Sequence, residues 1–169
     1  EPGEAQGVRR DMLSEFWDSF LLYTHGNAMR VPRVVHDKQE NEWKAIMLCY
    51  GYLTEGYVPY FIAPSFLKVC MGEKPTEQEL FTDFLNIMEE FNSEILKAAL
   101  DTRIISPEVV DALSQYECKK LVEGHNLKEA LVELAHQEIL QKPAFIIKMW
   151  GPILQEFIGF DGGDVRSML

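Results

Sequence analysis

The chain has 169 residues, 47% hydrophobic and 25% charged, a balance that excludes a disordered or fibrous polypeptide. A chain of this length buries a core without a disulfide or metal staple. Its 27 acids and 16 bases leave a net charge of −11, which excludes nucleic-acid binding through a phosphate footprint, since Lys and Arg supply that affinity, and favours a protein partner with a basic face.

Met12, Leu13, Phe16, Trp17, Phe20 and Leu21 form one apolar stripe and predict a helix from Arg9 to about Tyr23, closed by a turn at His25-Gly26-Asn27. Met29, Val31, Val34 and Val35 around Pro32 predict an extended stretch or short edge strand over 28–35. Asp37 is placed to cap a second helix, with Trp43, Ile46, Met47, Tyr50 and Leu53 expected on its buried face. Gly56-Tyr57-Val58-Pro59 marks the exit into extended chain. Pro64 then opens a short helix with Ile62, Phe66, Leu67 and Cys70 inward, and Gly72 closes it.

Thr76 to Glu79 reads as a capping box, starting a helix that carries Leu80, Phe81, Phe84, Leu85, Met88 and Phe91. Glu73, Glu77, Glu79, Asp83, Glu89, Glu90 and Glu94 against the single base Lys74 give 73–94 a strongly negative outer face. Ser106-Pro107-Glu108 and Asn126 with Glu129 are further helix starts. The latter helix places Leu127, Ala130, Leu131, Leu134, Ala135 and Ile139 on one side. Pro143 restarts a helix through Ile146, Ile147 and Trp150, and Gly151-Pro152 is expected to break it before Ile153, Leu154, Phe157 and Ile158. The sum is a mainly α fold: one domain over 1–169, about 7–8 helices, and at most a short extended or hairpin element near 28–35.

Catalytic constellations are missing: no phosphate loop, nucleophile elbow or HExxH. Glu133, His136 and Glu138 have one helical spacing suited to a metal, yet no second ExxH supplies partners, so His136 reads as a solvated or half-buried helix residue. His25 and His125 read as turn residues, and His36 precedes a cap. Cys49, Cys70 and Cys118 show neither a disulfide framework nor a CxxC motif, and read as structural. Reduced thiols point to cytoplasm or nucleus. No run reaches the ~18 apolar residues of a membrane span, and Glu1-Pro2-Gly3-Glu4 is not a signal peptide. Lacking an initiating Met and ending on Ser167-Met168-Leu169, the chain reads as a piece of a longer protein. No catalytic, cofactor-binding or metal residue is assigned, and no cofactor is expected.

Two stretches nevertheless resemble a known family. Gly7-Val8-Arg9-Arg10-Asp11-Met12-Leu13 running into Phe16-Trp17 is similar to the "G-V-R-R-E-F-F" helix start in the large N-terminal lobe of HECT-type ubiquitin ligases. Trp43 to Leu53, Glu55-Gly56-Tyr57-Val58-Pro59-Tyr60-Phe61-Ile62-Ala63-Pro64-Ser65-Phe66-Leu67-Lys68, and Met71-Gly72-Glu73-Lys74-Pro75-Thr76 resemble that lobe's continuation: a helix with internal Gly, an extended Pro-containing step, a short helix and a "G-x-K-P-T" turn. The resemblance is clearest over 7–90. Asp161-Gly162-Gly163-Asp164 is similar to a late turn of the lobe, and 126–158 looks like reduced members.

The chain departs from the family at Leu100 to Gln115, which offers a connection and one helix in place of the sublobe that docks the conjugating enzyme. The C-terminal lobe with its Thr-Cys nucleophile is absent, and none of the three cysteines matches it. The resemblance implies a scaffold lobe for passing ubiquitin from a conjugating enzyme to a Cys in that missing C-lobe, with those proteins as partners. The fragment alone is expected to be inactive, and its oligomeric state is open, with Tyr57, Tyr60 or Trp150 as interface aromatics. The rival reading is a non-enzymatic acidic helical interaction module.

Overall fold

A computed structural model describes residues 2–33 and 37–160, and among these the fold is eight α-helices and one two-stranded antiparallel hairpin. Val34, Val35, His36 and the Asp161 to Asp164 turn lie outside the described residues. The first helix, α1, spans Pro2–Phe20 and tightens into a 3-10 turn at Leu21–Tyr23. The hairpin follows, with β1 at Thr24–Gly26 and β2 at Arg30–Pro32. The expected His25-Gly26 turn is thus displaced by a few residues: both belong to β1, His25 facing Val31 in register. Gly26 takes a φ of 136°, and a Cβ there would lie 2.2 Å from the Met29 carbonyl oxygen, so only glycine fits this corner. On its other side Arg30 donates to the Phe61 carbonyl and accepts from the Ala63 N–H, so the extended step before the next helix continues the pairing.

Helix α2 (Lys38–Glu55) starts at Asp37, whose carboxylate accepts from the Gln39 and Glu40 N–H groups, and stops at Gly56 in the left-handed region. Helix α3 is Pro64–Cys70, with Pro in its first turn. Helix α4 is Glu77–Ile87, opened by a complete Thr76/Glu79 capping box. The single helix expected from Leu80 to Phe91 is instead two. Met88 and Glu89 are extended, and α5 restarts at Glu90–Thr102. The break turns Met88 into the core and puts Glu89 and Glu90 at a new helix start, where the dipole favours acids; it leaves Phe91 in solvent.

Helix α6 is Pro107–Ser114 and α7 is Leu127–His136, which runs through a π-helical turn (Gln137–Gln141) toward α8 (Ala144–Phe160). Contrary to expectation, α8 passes through Gly151-Pro152 unbroken. A helix-interior Pro costs about 3 kcal/mol, so packing must outweigh it. Gly151 brings the helix against the Cys70 carbonyl, which also accepts from Gln155 Nε2 at 3.3 Å.

The core centre is aromatic. Trp150 of α8 meets Phe66 edge-on at 5.6 Å, Trp17 at 6.4 Å, and stacks on Phe20 at 6.0 Å. All four side chains are fully buried, and together they tie α1, α3 and α8. Trp150 is therefore not an interface residue, as its exposed-aromatic reading required. Tyr60 is exposed and Tyr57 half-buried. Among the described residues no helix is long and apolar enough to cross a membrane.

Candidate functional site

The set that invited a metal reading is pulled apart. Glu133 is exposed and pairs with Lys120 of the preceding loop. Glu138 sits on the π-helical turn, 1% exposed, where it pairs with Arg33 and with Lys142 at 2.5 Å. His136 lies half-buried at the end of α7. Among the described residues no three His, Cys, Asp or Glu side chains converge as a metal site requires.

Glu138 instead organises a polar junction that the sequence did not announce. Arg33, just past β2, also donates Nη1 to the Glu138 carbonyl at 2.9 Å, clamping the hairpin to the π-helical turn. Lys142 reaches on to Glu117 at 3.4 Å. The Tyr116 hydroxyl nearby is pushed up to about 12, by burial first and then by the Glu138 charge. His25, exposed on one side and edge-on to Tyr116 at 6.5 Å, is held below its ordinary value by partial desolvation and by the Arg33 cation. A shallow cavity of about 300 Å3 opens here between His25, Glu89, Gln115 and Tyr116. Beside it Arg33, Glu138, Lys142 and Glu117 are paired with one another, which is the arrangement of a clamp.

The thiols follow their burial. Cys70 is fully buried and desolvation pushes its pKa far up, while Cys49 is raised to about 11 for the same reason. Both stay protonated at neutral pH and make poor nucleophiles. Cys118 is half-buried beside a cavity of about 230 Å3 lined also by Lys120, Glu133 and Gln137. The expected acidic face over 73–94 is thinner than its composition. Asp83 points inward and accepts the Ser65 N–H at 2.8 Å at the start of α3. Glu79 is held by its capping box and by Lys68 at 2.5 Å. Glu77, Glu89, Glu90 and Glu94 remain outward.

The largest correction falls on α2. Trp43, Ile46, Tyr50 and Leu53, expected inside, are 58%, 42%, 48% and 61% exposed, with Met47 half-buried. The buried face is the small-residue one, Ala45, Leu48, Cys49 and Gly51, together with Asn41, Lys44 and Glu55. Closeness decides this. Helix α2 packs chiefly on α8 and also against α1, and a Cβ on Gly51 would already meet Leu13 Cδ2 at 3.3 Å, which leaves no room for an indole. Both buried charges have an ionic partner. Lys44 pairs with Glu40 at 2.7 Å and lies 4.9 and 4.6 Å from the Phe20 and Tyr23 ring centres. Glu55 pairs with Arg9 at 2.6 Å. An apolar stripe at i, i+3, i+7 and i+10 is thereby turned to solvent.

No protein-family model, curated protein or solved structure matches the chain.

Proposed function

We propose that this chain is the scaffold part of a HECT-like ubiquitin ligase domain, positioning a ubiquitin-conjugating enzyme and a separate cysteine-bearing lobe rather than carrying out the transfer itself. The segment from Trp43 to Thr76 carries the reading. Its residues resemble the large lobe of that family, and its elements follow the order the resemblance implies. A helix with internal Gly51 exits at Gly56, an extended step through Pro59 leads to a short Pro-started helix, and a turn at Lys74-Pro75 ends in the Thr76 cap.

The test has two arms. The gene downstream of Leu169 is read for a small domain with a Thr-Cys motif, and the protein encoded there is mixed with charged conjugating enzyme. The reading requires a thiol-reducible ubiquitin adduct on that downstream Cys and none on Cys49, Cys70 or Cys118. An unrelated downstream sequence, or an adduct on any of these three, overturns it. The second reading, a helical interaction module without ubiquitin chemistry, is favoured by one observation, the apolar face of α2 turned to solvent.

A further inference from the structure

We infer that the outward face of α2 is a docking site for a lysine- or arginine-bearing amphipathic helix of another protein. Trp43, Ile46, Tyr50 and Leu53 recur at the spacing by which one helix anchors on another. Trp and Tyr are the residue types that dominate such contacts. A helix that buries Lys44 and Glu55 while exposing most of an indole gains little in stability from the exposed part, which leaves the stripe open to a partner.

Size and charge select the occupant. The four side chains, each about half exposed, offer on the order of 400 Å2, about half of the ~800 Å2 per partner that a stable globular interface takes. That area suits one helix laid on the face better than a second folded domain. The chain as a whole is acidic, and where α1 meets α2 its cations are engaged, Arg9 with the Glu55 carboxylate and Arg10 with the Glu55 carbonyl. On the neighbouring helix α1, Asp11, Glu15 and Asp18 are exposed at i, i+4 and i+7 with no ion pair among the described residues, and the whole chain carries −11. Within α2 itself Glu42 is answered by Lys38 at 3.5 Å, so the stripe's own helix is close to neutral and the field is that of the chain's overall charge. A second copy would bring the same acids against each other, whereas a basic helix answers them and gains on-rate from the field.

The probe is a synthetic 18-residue amphipathic peptide, about five turns long, with Leu repeating at i, i+3, i+4 and i+7, Lys at four of the remaining positions and Ala at the others, set against the same peptide with Glu for Lys. Binding is read by fluorescence anisotropy of the labelled peptide in low and physiological salt. The exposed positions allow a folded double variant, Trp43→Ala with Tyr50→Ala, checked by circular dichroism, and a charge variant, Asp11→Asn, Glu15→Gln and Asp18→Asn. Expected are saturable binding of the Lys peptide, at least tenfold weaker binding to the double variant, several-fold weaker and less salt-sensitive binding to the charge variant, and no binding of the Glu peptide. Equal binding to wild type and double variant means that acids alone attract the peptide, and overturns the inference. So does the absence of binding, or a concentration-dependent dimer in sedimentation that the double variant abolishes, which assigns the face to a second copy.

Discussion

Glu79 shows how one side chain serves two structures. Its carboxylate holds Lys68 and closes the Thr76 capping box, and the Lys68 contact first, then those of Thr76, pull its pKa down to about 2. A folded-state pKa below the unfolded one stabilises the fold above about pH 4.5, and that contribution disappears as pH falls toward 2. Glu79→Gln is therefore expected to flatten the acid limb of a stability–pH profile measured by urea denaturation. His25 has the same sign in a higher window. Partial desolvation and Arg33 depress its pKa, so its contribution is complete above the ordinary value of 6.5 and is lost as pH falls below it. His25→Gln should remove the loss of stability just below that pH. Asp83 is shifted the other way, upward by burial, while still accepting the Ser65 N–H. Asp83→Asn keeps an acceptor and should stay near wild type, whereas Asp83→Ala orphans a buried donor and should cost about 1–3 kcal/mol in the same measurement.

Among the elements, the helix starts marked by a cap or a proline were legible because each is decided within a few residues, whereas the start of α1 at Pro2 and the restart at Glu90 were missed. Asp37, Pro64, Pro107 and the Thr76–Glu79 box all stand where a side chain or a fixed φ meets local backbone needs. What failed was decided by distant partners. Both stripes of α2 contain apolar residues, and only the close approach of α8 and α1 selects the smaller one. Pro152 signals a helix end locally, yet the contacts of α8 with α3 and α2 carry the helix past it. The Arg33–Glu138 clamp joins residues 105 apart and has no local signature. The hairpin was visible as an extended Pro32 stretch, but its pairing depends on Gly26. Gly26→Ala forces a left-handed φ on a residue with a Cβ and a 2.2 Å approach to Met29 O, and is expected to lower the melting temperature by several degrees.

At the scale of the molecule, the fold separates its large aromatics into two populations. Trp17 and Trp150 build the centre where α1, α3 and α8 meet; Trp43 stands outside. Trp150→Ala should cost about 3–5 kcal/mol, while Trp43→Ala should change stability by no more than about 0.5 kcal/mol. The family resemblance assigned no reactive residue to any position of this sequence, so sequence reading offered no candidate site for the fold to assemble. An apolar helical surface among the described residues is the α2 stripe, hidden from sequence reading because such a stripe is ordinarily core. Acrylamide quenching of tryptophan fluorescence tests that orientation most directly. With Trp43 outward, one emitting population should be red-shifted and readily quenched, and Trp43→Phe should abolish it while leaving blue-shifted, protected emission from Trp17 and Trp150. Three equally protected tryptophans, or a quenchable population that survives Trp43→Phe, would contradict it.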